Sequence, residues 1–203
     1  LRLREKPARQ DVALVAVPGF AQLVALLKHM DRTLGGSLSA FEAMWPEFYE
    51  LVTTPPAKGR PPLPHGHPLY ALIESSGGGG PGDAERFAAA CEQAMEAGLI
   101  ADAAIAQSQA EAAAIWGLRD DVAQCLREGA PFTYDVSLPI ESMPGYLDAV
   151  RPAIARRFPN HRTWVFGHMG DGNLHLVIAA GEASLQARAD AEAIVYPPLQ
   201  ALG

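Results

Sequence analysis

The sequence predicts an α+β fold: a largely antiparallel sheet with packed helices, laid out as a duplicated ferredoxin-like plan. Three observations carry that expectation. Short β-rich apolar runs alternate with longer runs of helical spacing along the whole chain. Strand–helix–strand units follow one another in two successive sets, although no repeat at the level of residues marks a duplication. The last two strands flank a turn too short for a crossover, so they can only be antiparallel.

Each element has a local reason. Residues 12–17 are apolar and β-rich, a strand. Residues 20–34 have helical spacing and stop at Gly35-Gly36. Residues 38–44 read as a second strand and 46–52 as a short helix. The stretch 53–68 is rich in Pro and Gly and reads as a loop. Residues 70–74 form a strand, 75–82 a loop, 84–97 a helix and 100–107 a strand. A long helix is expected over 109–127, then a strand over 132–138. The helix 144–158 carries Pro144 near its first turn, where proline is tolerated. Strands 163–168 and 173–178 enclose the tight turn. A final helix covers 184–202, with Pro197-Pro198 breaking or kinking it.

Composition bounds what such a fold can do. The chain has 203 residues, 49% hydrophobic and 19% charged, enough for a packed core. A net charge of −7 disfavours nucleic acid and anionic membrane surfaces, which both require a basic face. No apolar run approaches the ~20 residues of a membrane span, and no secretion signal opens the chain. The two cysteines, Cys91 and Cys125, lie in Ala-rich helical patterns and read as buried thiols. A reducing cytoplasm is the expected compartment, with peripheral attachment to a membrane through other subunits compatible with it. Leu1 in place of Met, and a stop at Leu202-Gly203 just after a helix-like stretch, suggest a fragment.

The chemistry concentrates in Phe166-Gly167-His168-Met169-Gly170-Asp171-Gly172-Asn173-Leu174-His175-Leu176. Asp-Gly between β-rich flanks is the strongest short hairpin signal, because a type I′ turn needs positive φ at both central positions. With Asp171-Gly172 as the turn, His168 stands directly opposite His175 on one face. Opposed Cβ atoms lie about 4.5–5.5 Å apart, so two imidazoles there can converge on one divalent cation. Zinc, manganese and iron all suit imidazole. The bland alternative is a surface hairpin with two incidental histidines. Two ligands also fall short of the three that a stable protein site usually offers. Asp171 reads as support for the turn rather than as a ligand.

The segment from His168 to His175 resembles the His-x-Gly-Asp-Gly-Asn-x-His motif of the FAD-linked oxidase C-terminal domain. That family includes D-lactate dehydrogenases, the glycolate oxidase flavin subunit and D-2-hydroxyglutarate dehydrogenase. Other segments agree in order: Glu47-Phe48 after the second strand, Trp116-Gly117-Leu118-Arg119, and Tyr134-Asp135-Val136-Ser137-Leu138-Pro139. The resemblance covers nearly the whole chain. It implies that residues 1–203 form the substrate- and metal-binding cap of a larger flavoenzyme, whose N-terminal FAD-binding domain and C-terminal tail are missing here. It implies a divalent metal on His168 and His175, completed by a glutamate of a later Glu-His-Gly segment, with a histidine of that segment as base. Asp171, Gly172 and Asn173 would support the turn. Arg119, by itself an ordinary surface charge, would anchor the substrate carboxylate. No catalytic residue and no flavin-binding residue is assigned within the fragment.

The chain also departs from relatives that take dicarboxylates. Such relatives tend to carry Thr shortly after the arginine and Lys just before Tyr-Asp, and an Asn two residues beyond the second histidine is common in the family. Here those places hold Ala123, Thr133 and Val177. The implied reaction is therefore oxidation of a small D-2-hydroxy acid, D-lactate-like, to a 2-oxo acid, with a homodimer as the candidate assembly. The rival reading is a free-standing module that binds metal or a small carboxylate without redox activity; a second rival is a purely structural or oligomerisation domain.

Several features read as decoys. The run 75–80 (Ser-Ser-Gly-Gly-Gly-Gly) lacks the spacing of a phosphate loop and reads as a connector. His65 and His67 lie in a Pro-rich loop with no third ligand, His29 and His161 read as exposed, and Trp45 and Trp164 as core or interface aromatics.

Overall fold

A computed structural model describes residues 9–80 and 82–202. A seven-stranded antiparallel sheet runs through the molecule in the order β4-β1-β3-β2-β6-β7-β5. The strands are β1 (Arg9–Val17), β2 (Leu38–Met44), β3 (Leu69–Gly77), β4 (Asp102–Ile105), β5 (Phe132–Ser137), β6 (Arg162–His168) and β7 (Asn173–Ala179). The helices are α1 (Phe20–Leu34), α2 (Pro46–Thr53), α3 (Asp83–Glu96), α4 (Gln109–Asp120), α5 (Met143–Arg157), α6 (Leu185–Val195) and α7 (Pro197–Leu202).

The duplicated plan is visible in the topology. The first half runs β1-α1-β2-β3-α3-β4 with strand order β4-β1-β3-β2, the ferredoxin-like arrangement, α2 being an addition. The second half repeats β5-α5-β6-β7-α6, and β6-β7-β5 take the places of β2-β3-β1. The two halves join where β2 pairs with β6, with Glu42 opposite His168.

Helices cover both faces. Leu23, Leu26 and Met30 of α1, Phe87 of α3, Tyr146 and Val150 of α5, and Ala191 of α6 share one apolar cluster with one side of the sheet. Phe48, Tyr49 and Val52 of α2 and Ile115 and Leu118 of α4 form a second cluster on the other. This double cover explains why every residue from Val12 to Val17 is buried, whichever face it points to. Strand β5 lies at the edge and alternates buried with exposed residues, because only one of its faces is covered.

The structure moves several expected boundaries. Strand β3 continues through Ser75 and Ser76 to Gly77, taking up the start of the expected connector, because Ser75 pairs with Asp11 and its hydroxyl meets that of Ser37 at 2.9 Å. Strand β4 is shorter than expected, since only Ala13–Ala16 of β1 offers it a partner. The long helix ends at Asp120; Asp121 turns the backbone (ψ 43°) into a 3-10 stretch, Val122–Glu128, that carries Cys125 into the core. The C-terminal helix is two helices split at Tyr196, because Pro197 has no N–H to give the preceding turn.

The decoys resolve as structure. The Gly79 and Gly80 amides donate to the Asp83 carboxylate at 3.1 and 3.2 Å, so the glycine run closes on its own helix rather than on a phosphate. His65 bonds Thr53 and lies edge-on to Tyr49; His67 lies edge-on to Tyr70. His29 and His161 are half-buried rather than exposed, each with a ring nitrogen on a backbone carbonyl. Trp45 and Trp164 are core residues. Burial pushes the thiol of Cys91 up to about 11 and that of Cys125 up to about 12, so both are neutral, weakly reactive thiols.

Candidate functional site

The hairpin turns over four residues, Met169–Gly172, rather than two. His168 pairs with Asn173, and His175 pairs with Phe166. Met169 causes the difference: its amide donates to the Phe41 carbonyl at 3.0 Å and its side chain is fully buried, so it is drawn to β2 instead of extending β6. The Asp171 carboxylate accepts from the Asn173 amide at 3.0 Å, and Gly172 adopts φ 73°. A Cβ on Gly172 would also lie 2.7 Å from the Leu138 carbonyl oxygen, which explains the glycine there. Gly167 is equally constrained, since its Cβ would overlap the Asn173 backbone and lie 3.0 Å from the Leu174 Cα.

The register is shifted by two residues. Side chains alternate with period two, so an even shift leaves every one on its expected face. His168 and His175 therefore still share the face that carries Phe166 and Trp164, but as diagonal rather than direct neighbours. Their ring centroids are 5.0 Å apart, the rings stand nearly perpendicular (82°), and the two Nε2 atoms approach to 3.2 Å.

Each imidazole has a carboxylate behind it. His168 Nδ1 lies 2.6 Å from Glu42 Oε1 across the β2–β6 seam, and His175 Nδ1 bonds Asp135 of β5. A carboxylate only accepts, so the proton of each neutral ring sits on Nδ1 and each Nε2 keeps a lone pair. Two lone pairs facing each other at 3.2 Å repel unless a proton or a cation lies between them. Two nitrogens bound to one tetrahedral zinc stand about 3.3 Å apart, given Zn–N bonds of about 2.0–2.1 Å. The donor set thus fits a divalent cation. Asn173 Oδ1, on the same face, is buried with no partner among the described residues. A third ligand is not supplied nearby: among the described residues no group of three or more His, Cys, Asp or Glu side chains converges on one point.

Arg119 reaches the same network from the last turn of α4. Its Nε donates to Glu42 Oε2 at 2.9 Å, and its guanidinium lies 4.8 Å over the Phe166 ring. The residue is 8% exposed, so it is not a solvated surface charge. One turn earlier on α4, Trp116 donates to Glu74 Oε2 at 2.9 Å, and Ser39 donates to Glu74 Oε1 at 2.7 Å. Two buried glutamates on neighbouring strands thereby fasten α4 to the sheet. The line Arg119–Glu42–His168–His175–Asp135 is continuous, and a 290 Å³ cleft lined by Ser39, Glu42, His168 and Asp171 opens beside it.

Phe166 holds this line from beneath. It stacks on Phe48 at 4.2 Å and tilts against His175 at 4.9 Å. Ala123 lies in the 3-10 stretch after α4, Thr133 is exposed on β5, and Val177 is 1% exposed. Glu42, Glu74 and Phe166 carry no role that the sequence alone assigns, and Asp135 stands out there only within a motif. A signal existed for Glu42: it is the one charged residue in the otherwise uncharged strand Leu38–Met44.

Comparisons with known proteins bear on the family and the fold of the chain. Residues 6–199 match the family model described as FAD linked oxidases, C-terminal domain. The chain is 34% identical over 193 residues to the mitochondrial D-2-hydroxyglutarate dehydrogenase of Bos taurus, covering 94% of this chain and 35% of that protein. It is 34% identical to the D-2-hydroxyglutarate dehydrogenase of Xanthomonas citri pv. viticola, covering 92% and 39%. It is 31% identical to a putative mitochondrial D-lactate dehydrogenase of Schizosaccharomyces pombe, covering 95% and 38%. The chain therefore spans between a third and two fifths of the length of these relatives. Among solved structures, alkyldihydroxyacetonephosphate synthase superposes with TM-score 0.68 at 11% identity, covering 95% of this chain and 40% of that one. A 4-ethylphenol oxidase from Gulosibacter chungangensis gives 0.59 at 12% identity, covering 94% and 44%, a likeness of fold alone. Several relatives are named as mitochondrial, whereas the cysteine count had suggested a cytoplasm; buried reduced thiols suit any reducing compartment. No helix among the described residues is long and apolar enough to cross a membrane.

Proposed function

Because this chain belongs to the family of FAD linked oxidases, C-terminal domain, we propose that it is the substrate-facing part of a flavin-dependent dehydrogenase. The reaction is oxidation of a D-2-hydroxy acid to the 2-oxo acid: the substrate gives up hydride from C2 and the proton of its hydroxyl. A flavin held elsewhere in the protein would supply the two-electron acceptor, and a divalent cation at His168 and His175 would supply Lewis acidity toward the substrate hydroxyl.

The chain's own residues prepare that chemistry. His168 and His175 would hold the cation through their Nε2 atoms, with a third ligand from elsewhere in the protein. Glu42 and Asp135 keep the protons on Nδ1, so both lone pairs stay available. Arg119 gives its Nε–H to Glu42 and retains two Nη groups as donors for a substrate carboxylate. The observation that carries the reading is the pair of Nε2 atoms at 3.2 Å with a carboxylate behind each ring.

Within that reading, Ala123, Thr133 and Val177 favour a short monocarboxylate such as D-lactate, because none of them supplies a cation or amide for a second carboxylate. The names of the Bos taurus and Xanthomonas citri relatives favour the dicarboxylate, and that of the Schizosaccharomyces pombe relative the short acid. One experiment addresses both. The full-length protein is purified and its visible flavin bands are followed as D-lactate or D-2-hydroxyglutarate is added without oxygen. Bleaching, faster with D-lactate, is the expected result. Bleaching with D-2-hydroxyglutarate alone would discard the short acid and keep the dehydrogenase. A colourless full-length protein, or a flavin that neither acid reduces, would leave the rival module that binds metal or carboxylate without redox activity.

A further inference from the structure

We infer that Glu42 is the positioning residue of this site, a carboxylate that fixes the tautomer of His168 with one oxygen and the guanidinium of Arg119 with the other. The inference rests on the assignment of His168 and His175 to a cation, but its primary readout does not require one. Glu42 is 5% exposed, whereas Asp135 behind the other histidine has a side chain 64% exposed. Of the two carboxylates, Glu42 is therefore the one held in place. It stands at the seam of the two structural repeats, its backbone paired with that of His168. Its Oε1 lies 2.6 Å from His168 Nδ1, and its Oε2 accepts from Arg119 Nε at 2.9 Å.

The chemistry turns on what a carboxylate cannot do. It has no hydrogen to give, so a neutral His168 must present Nδ1–H and leave Nε2 bare toward His175. A glutamine has nearly the same shape but one acceptor and one donor. In Glu42→Gln the amide oxygen keeps the Arg119 Nε–H, and the amide nitrogen then faces His168 Nδ1. The amide nitrogen only donates, so His168 Nδ1 must accept, the ring proton moves to Nε2, and the lone pair aimed at the cation position is lost. A residue that merely braced the fold would change stability without moving that proton.

The test uses the metal-free full-length protein labelled with 15N-histidine and long-range proton–nitrogen NMR recorded at alkaline pH. The expected wild-type pattern is Nδ1–H at His168, changing to Nε2–H in Glu42→Gln. In full-length protein the same variant is expected to bind Zn²⁺ roughly 10- to 100-fold more weakly. An Nε2–H ring at His168 in wild type, or a tautomer unmoved by Glu42→Gln, would overturn the inference. If Glu42→Gln does not fold, Glu42→Asp keeps an acceptor-only partner and is expected to retain Nδ1–H; Nε2–H there would equally overturn it. A wild type with the Nδ1–H tautomer that binds no Zn²⁺ would remove the proposed cation and leave Glu42's role intact.

Discussion

Full-length protein carrying His168→Ala or His175→Ala is expected to lose turnover on the order of 10³-fold, about 4 kcal/mol of transition-state stabilisation, while keeping its fold. The loss follows from geometry: each substitution removes one of two Nε2 atoms that stand 3.2 Å apart, and one remaining imidazole cannot hold a cation in place. The fold should survive because neither change strands a buried charge. Without His168, Glu42 keeps Arg119; without His175, Asp135 is solvated, its side chain being 64% exposed. Unfolding free energies within about 1 kcal/mol of wild type are therefore expected. Steady-state kinetics and urea unfolding on one preparation separate the two effects. A variant that keeps most of the wild-type kcat would mean that the histidine pair takes no part in the reaction, as the purely structural reading requires.

Arg119→Met should act in the opposite way, on stability first. The methionine fills similar space but leaves the Glu42 carboxylate 5% exposed and without its cation. Removing one partner of a buried pair typically costs about 3–5 kcal/mol, and the guanidinium's contact over Phe166 is lost as well. The double variant Glu42→Met/Arg119→Met removes both charges, and most of the stability is expected to return, since an apolar pair of similar volume is often as good as a buried ion pair. Turnover should not return with it. Urea unfolding of the single and double variants checks this. An Arg119→Met protein as stable as wild type would mean that the ion pair contributes little, and would assign Arg119 to the substrate alone.

These contrasts show which parts of the site were legible in the sequence. The pairing of His168 with His175 was legible because side-chain parity survives an even shift of register, so an incorrect turn length still put both rings on one face. The turn length was not legible, because it is decided by Met169 bonding to Phe41, a contact across strands far apart in the chain. Glu42 could be marked as a charge within a buried strand, but its partner lies 126 residues away across a seam that exists only after both repeats have formed. The duplicated plan followed from the order of elements, whereas helix ends depended on tertiary demand. Asp121 breaks the long helix to bury Cys125, and helical periodicity alone carries no trace of that. Arg119 was marked only by resemblance, and its burial against Glu42 is a fact of packing between α4 and the sheet.

The most direct test of the account is the metal content of the full-length flavoprotein, measured by mass spectrometry for wild type and for His168→Ala/His175→Ala after identical purification and dialysis against one divalent metal. The expected result is about one bound metal per flavin in wild type, since two histidines and a third ligand make one site, and essentially none in the double variant, with flavin content unchanged. Metal absent from an active wild type, or retained equally by the double variant, would contradict the assignment of this hairpin as a metal centre.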